Sequence, residues 1–192
     1  MLDGSDGGPD RRTLLKGLGA SAIGGLGYAA LDRYTNISMP HQRYGERYVT
    51  PHNDVVQDYV EDIEAITDDA VVFTDEPSFE YERDFARTGR PDDWSLPETY
   101  LTEKVGDCED HSFAFCSILR AAGYDADVIA GESSVVSKLK DGDPYLFHTM
   151  TVFETENGEH KYMDVAEPLR VYDTPIDGFR PRTKLTDGEI EF

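Results

Sequence analysis

The sequence predicts an α+β fold in which helices of the N-terminal half pack on a small antiparallel sheet. Three observations carry this. A helix beginning near Cys108 has both a start and a stop signal, and a strand, DADVIAG (125–131), follows it directly. Two further runs, FHTMTVFE (147–154) and KYMDVAE (161–167), flank the turn residues Asn157 and Gly158 and read as a hairpin. One helix feeding a small antiparallel sheet is α+β architecture.

Taken in order, 192 residues suffice for one ordinary domain with some length left for a targeting segment. Arg11 and Arg12 precede Leu14, Leu15 and a Gly/Ala-rich weakly apolar run, with Lys16 the single charge before Asp32. The glycines do not suit a soluble helix, and apolar residues surround it on all sides. The stretch DRRTLLKG resembles a twin-arginine export signal, departing from it in Asp10 where Ser or Thr is usual. Residues 1–31 are therefore expected to be a signal or a membrane anchor. The product is then extracellular or held on the outer face of the cytoplasmic membrane, with membrane contact through this segment. The run is near the lower length limit for a span, and no cysteine follows it to carry a lipid.

Residues 32–51 carry Asn36, Pro40, Gly45 and Pro51 without apolar period and read as a linker or an ordered loop. The domain proper spans 52–192. Val55, Val56, Tyr59, Val60, Ile63 and Ile66 recur at helical spacing over 52–69, with Asn53 as N-cap. Residues 70–100 alternate short apolar pieces with prolines and read as a packed approach segment. In the Cys108 helix, Asp107 is the cap and Asp110 completes an approximate capping box. Phe115, Ile118, Leu119 and Ala122 supply the buried face, and Gly123 the left-handed stop. A polar loop is expected over 132–146. Beyond 168 only Val171, Tyr172, Ile176, Phe179 and a closing GEIEF, read as a short edge strand, offer apolar signal.

Composition narrows function. There are 39 Asp and Glu against 18 Lys and Arg, a net charge of -21. Phosphate binding needs a basic surface, so nucleic acid is excluded as a partner, and an acidic macromolecular substrate would be repelled. The acids are scattered and only six of the bases are lysine. Two causes fit, a highly soluble acidic protein or one adapted to high salt, where screening reduces self-repulsion, and the pattern favours the second.

Cys108 is the candidate reactive atom, and its roles can be weighed in turn. A disulfide to Cys116 fails because eight helical residues separate them by about 12 Å. A metal site would join Cys108 and His111 to His148 or Asp164, yet no Cys-x-x-Cys pair exists and tetrahedral sites usually show tighter spacing. No metal or cofactor is expected. The nucleophile reading explains more. A thiol in the first helical turn has its thiolate stabilised by the helix field, and the Cys108 N–H can face a developing oxyanion. A histidine base and an orienting group are then required. His148 begins one strand and Asp164 lies on the next. A turn centred on residue 156 pairs 148 with 164, whereas a two-residue turn on Asn157-Gly158 pairs 148 with 167, so the triad requires the wider turn or a bulge.

The order GDCEDHSFAFCSILRAAGYDADVIAG, FHTMTVFE, KYMDVAEP strongly resembles the transglutaminase-like superfamily, a branch of the papain-like cysteine peptidase fold. Its pattern is Gly-x-Cys-x-Asp at a helix start, a strand histidine, and a strand aspartate before a loop proline. The resemblance covers roughly residues 70–168, with DDWSLPETYL (92–101) similar to the approach segment of bacterial and archaeal members. It implies a papain-like core, a Cys108–His148–Asp164 triad and acyl transfer at amide bonds through a thioester. His148-Thr149-Met150 stands where relatives often have His-Ala-Trp or His-Val-Trp. For the second oxyanion donor, Trp94 and Tyr100 are candidates because each carries a polar hydrogen. Asp110 is assigned to capping, His111 to packing or support behind the site, Glu109 to the surface, Cys116 to the core and His160 to solvent.

The implied activity is hydrolysis of peptides, protein tails or cell-envelope material. The alternatives are transfer to an amine, as in protein crosslinking, and a secreted binding or structural module without turnover.

Overall fold

The computed structural model describes residues 45–90, 93–133, 146–188 and 190. The export-signal segment and most of the expected 132–146 loop lie outside the described residues. No helix among those described is long and apolar enough to cross a membrane.

The domain's first described residues are packed on it. Val49 is buried, the Tyr48 ring packs on both Trp94 and Phe113, and the N–H of Thr50 donates to Ser117 Oγ at 3.0 Å. Asn53 caps α1 (Asp54–Glu61) by accepting from the Val55 N–H at 2.9 Å. The helical spacing runs on to Ile66, but α1 stops at Glu61. Ile63–Ile66 instead forms β1, antiparallel to β2 (Val71–Phe73), with a bulge between Ile63 and Ala65. Two isoleucines three apart fit a helix face and a bulged strand equally well. The Thr67 turn decides: its N–H donates to Ala70 O and its hydroxyl accepts from the Ala70 N–H, which closes a hairpin.

The approach segment builds a frame. β3 (Glu80–Tyr81) pairs in parallel with β4 (Val105–Gly106), and α2 (Asp84–Thr88) and α3 (Pro97–Glu103) lie between them in sequence. Pro97 sits in the first turn of α3, where its missing N–H costs nothing. β4 runs straight into α4 (Cys108–Ala121), which ends at Gly123 with φ +94°.

α4 is more deeply set than an amphipathic helix. Apart from Glu109, every residue from Cys108 to Leu119 is buried, while Ala122 lies at the margin. The reason is that β5 and β6 cover one side and α1 and α3 the other. Two apolar clusters result, one with Phe113, Phe115, Cys116 and Leu119 against the sheet, the other with Ala114 and Ile118 against Val56, Tyr100 and Leu101.

The sheet has the order β8 (Val171–Tyr172), β7 (His160–Met163), β6 (Leu146–Glu154), β5 (Asp125–Ser133), β9 (Phe179–Lys184), all antiparallel. β5 therefore extends two residues into the expected loop. β9, FRPRTK, carries no strand signal in the sequence because it is polar and contains Pro181, tolerable at a sheet edge. It crosses β5 at Gly131, where a Cβ would stand 2.2 Å from Arg180 O. Ile190 is buried beside Ile129, Met150, Val152 and Phe179 on the second face.

The hairpin register matches neither expected alternative. Glu154 pairs with His160 and Thr151 with Met163, so the turn centres on Asn157. The turn is closed by Thr155 N–H to Glu159 O at 2.9 Å, with Gly158 at φ +77°. β7 leaves the ladder after Met163, short of the expected end at Glu167.

Candidate active site

Several short elements converge on the start of α4. Gly106 is required there: a Cβ would lie 2.5 Å from Asp110 Oδ2. Asp110 accepts from the N–H of Asp107 at 3.4 Å, the capping contact expected. It does more than cap. It is fully buried and also accepts from the Ser95 N–H at 2.6 Å and from Arg87 Nη2 at 2.8 Å. Arg87 reaches Asp84 Oδ1 at 3.0 Å, Val105 O at 3.1 Å and Ser95 Oγ at 3.1 Å, and the Asp84 N–H donates to Asp107 Oδ2 at 3.3 Å. Burial pushes the Asp110 carboxyl up to about 6, with Asp107 and Asp84 adding to the rise and the Ser95 N–H and Arg87 opposing it.

Cys108 is the first residue of α4 and 8% exposed. Its thiol donates to Glu109 Oε2 at 2.8 Å. Glu109 is thus turned onto the thiol, a correction to its surface assignment; a half-buried carboxylate beside a buried thiol finds its donor there. Burial, then the charges of Glu109 and Asp107, push the thiol well above its ordinary value, and a hydrogen bond from the Thr149 N–H opposes them. The sulfur therefore meets β6 at the residue after His148. Among the described residues Cys108 and His148 share no hydrogen bond.

His148 Nε2 contacts Asp164 Oδ2 in a short hydrogen bond. One more ladder step would set Asp164 opposite Met150, on the His148 face. A turn carries it the rest of the way: Asp164 Oδ1 accepts from the Ala166 N–H at 2.8 Å and its carbonyl from the Glu167 N–H at 3.2 Å. Burial alone would raise the Asp164 carboxyl, but the bond and charge of His148 and the Ala166 N–H hold it below its ordinary value. With Nε2 taken, Nδ1 is the imidazole nitrogen left for other work.

His111 is fully buried, stacked on Phe115 at 4.4 Å, with Nε2 3.1 Å from Pro168 O. It tethers the loop that carries Asp164. Burial pushes it down to about 4, so it is neutral near pH 7. Tyr100, 1% exposed, stacks on Phe79, and its hydroxyl has no acceptor and lies inside a packed cluster; Trp94 packs on Tyr48 and Phe113. Cys116 is buried, its thiol 3.4 Å from Ala126 O, and His160 is partly exposed, 3.8 Å from Glu154.

Among the described residues two groups come close enough to share an ion, Asp84–Asp107–Asp110 and Asp107–Cys108–Glu109. Arg87 already stands against the first. His111 joins neither, so the set of Cys108 with His111 weighed from spacing does not form. A groove of about 360 Å³ lined by Val55, Tyr59, Phe73, Leu101 and Lys104 contains none of the site residues. Arg87 and Tyr81 carry no signal in the sequence for this region: the β3–β4 pairing sets Tyr81 beside Gly106, and the Asp110 contact brings Arg87. Glu109 follows Cys108 directly, and the structure adds its contact with the thiol.

A helix that starts at a thiol and packs on an antiparallel sheet carrying the His148–Asp164 pair gives an α+β core of the papain-like type. The sequence matches the transglutaminase-like superfamily over residues 53–164, and the chain belongs to that superfamily. Among solved structures it is similar to calcium-bound LapG of Legionella pneumophila, with 20% identity over 68% of this chain and 60% of that one and a TM-score of 0.42. EGTA-treated LapG of the same organism gives 21% identity over 66% and 57%, with a TM-score of 0.39. The chain thus spans less than two thirds of either. Comparison with curated proteins gave no match.

Proposed function

We propose that the protein hydrolyses amide bonds in peptides or protein segments, with Cys108 as nucleophile, His148 as base and Asp164 orienting the imidazole. The observation that carries this is the His148–Asp164 bond on the strand whose next residue, Thr149, meets the Cys108 sulfur. Asp164 accepts from Nε2–H and leaves the Nδ1 lone pair for the thiol proton. The thiolate then adds to the carbonyl carbon, and the carbonyl π pair moves to oxygen. Collapse expels the amine, which takes the proton from Nδ1. Water, deprotonated by His148, resolves the thioester and restores the thiol. Glu109 must release the thiol before the first step.

The Cys108–Glu109 bond supports a second reading, a binding module in which the thiol stays protonated. Labelling with iodoacetamide at high salt separates the two. Hydrolysis predicts that Cys108 reacts faster than a free thiol and that His148→Ala removes the advantage; equal rates sink it. Mass spectrometry of added peptides, with and without a primary amine, then reads water against amine as acceptor. Export through residues 1–31 remains part of the proposal, tested by following processing and location of the full chain with Arg11 and Arg12 replaced by lysine.

A further inference from the structure

Resting on that reading, we infer that Tyr81 is a catalytic residue, its phenol O–H donating to the oxyanion formed when Cys108 attacks. An acyl-transfer site needs donors aimed at the oxygen where charge develops. The first turn of α4 supplies one, since N–H groups there have no carbonyl partner within the helix. Tyr81 is placed to supply the other. It pairs with Gly106, two residues before Cys108, and the ladder is held by Glu80 N–H to Lys104 O and Glu82 N–H to Gly106 O, both 2.8 Å. The same segment is bolted to the helix start through the Asp84 N–H on Asp107 and through Arg87. Tyr81 is thus held on a fixed strand, not on a free loop.

Its side chain is 50% exposed, and its hydroxyl has no acceptor among the described residues. Three tyrosines elsewhere are engaged or covered: Tyr59 donates to Leu101 O, Tyr172 to Glu167, and Tyr100 is enclosed. Tyr81 pairs with Gly106 beside the helix start, and the charged and titratable groups that act on its phenol are Cys108, Asp107, Arg83 and Glu109, all of that neighbourhood. Half-covered and beside those negative groups, the phenol keeps its proton, so it acts as a donor and not as a base.

The test compares two reactions of the same sulfur in the full chain and its Tyr81→Phe variant. Alkylation by iodoacetamide forms no oxyanion, whereas acylation by p-nitrophenyl acetate does. Tyr81→Phe is expected to slow release of p-nitrophenolate about 10²–10³-fold while alkylation stays within about threefold. Acylation that stays within about threefold of the unaltered protein overturns the inference, as does an equal slowing of both reactions, which would mean that Tyr81 acts on the thiol itself. Failure of the underlying reading is distinguishable: there, His148→Ala with Tyr81 in place leaves the alkylation rate of Cys108 unchanged. Tyr81→Trp, which restores a ring N–H donor, is expected to recover part of the acylation rate.

Discussion

Replacing Arg87 with methionine removes the guanidinium standing between Asp84 and Asp110 while keeping a flexible apolar stem in its place. Asp110 is the sensitive partner, because it is fully buried and its carboxyl already sits at about 6. Deprived of the cation, it can escape by taking a proton. At pH 7.5 that costs about 1.36 × 1.5, or about 2 kcal/mol, and near pH 6 almost nothing. The lost hydrogen bonds to Val105 O and Ser95 Oγ add about 1 kcal/mol at any pH. The variant should be destabilised by about 3 kcal/mol at pH 7.5, the lower end expected for breaking a buried ion pair, and by about 1 kcal/mol near pH 6. The sign agrees with linkage: a raised carboxyl means the folded state binds the extra proton, so its contribution is full below about 4 and lost as pH rises through about 6. Denaturant unfolding at both pH values in the same KCl concentration measures this. A loss below about 1 kcal/mol at pH 7.5, or an equal loss at both, contradicts this account of Asp110.

Other outcomes rest on the same geometry. Glu109→Gln removes a charge that holds the thiol up, so Cys108 should alkylate several-fold faster at pH 7.5, because a thiol lowered by one pH unit carries about tenfold more thiolate; an unchanged rate–pH profile contradicts the contact. His111 is depressed from 6.5 to about 4, so its contribution is full above 6.5 and about 3 kcal/mol is lost as pH falls through 4. Its imidazole resonance should accordingly stay neutral down to about pH 5, and titration near 6.5 would disprove the burial argument. Gly131→Ala drives a Cβ into the Arg180 carbonyl and should cost about 1–3 kcal/mol, with faster amide exchange along β9. A net charge of -21 should make the unfolding midpoint rise with KCl; a flat response argues against salt adaptation.

Much of this is legible in residues close together along the chain. The Asn53 cap, the Asp107–Asp110 start, the Gly123 stop and the hairpin turn each depend on side chains within a few positions of the backbone they satisfy, and the structure shows all four. Expectation and structure part where two local solutions are nearly equal. Ile63 and Ile66 fit a helix as well as a bulged strand, and Asn157-Gly158 fits several loop lengths. β9 is invisible because an edge strand needs neither alternation nor an unbroken set of N–H donors.

Contiguous residues were enough to specify the fold class and the helix that presents Cys108, through periodicity and capping, which act over a few positions. The choice of His148 and Asp164 rests on the resemblance of the motif order. Packing in three dimensions settled the rest. It centres the register on Asn157, carries Asp164 to His148 by a turn after Met163, and gathers Arg87 and Tyr81 at the helix start. Distance along the chain separates the two kinds of feature. The gathered groups meet through the β3–β4 pairing and through buried carboxylates that must find donors, and a buried charge takes its partner from whatever element packing brings beside it.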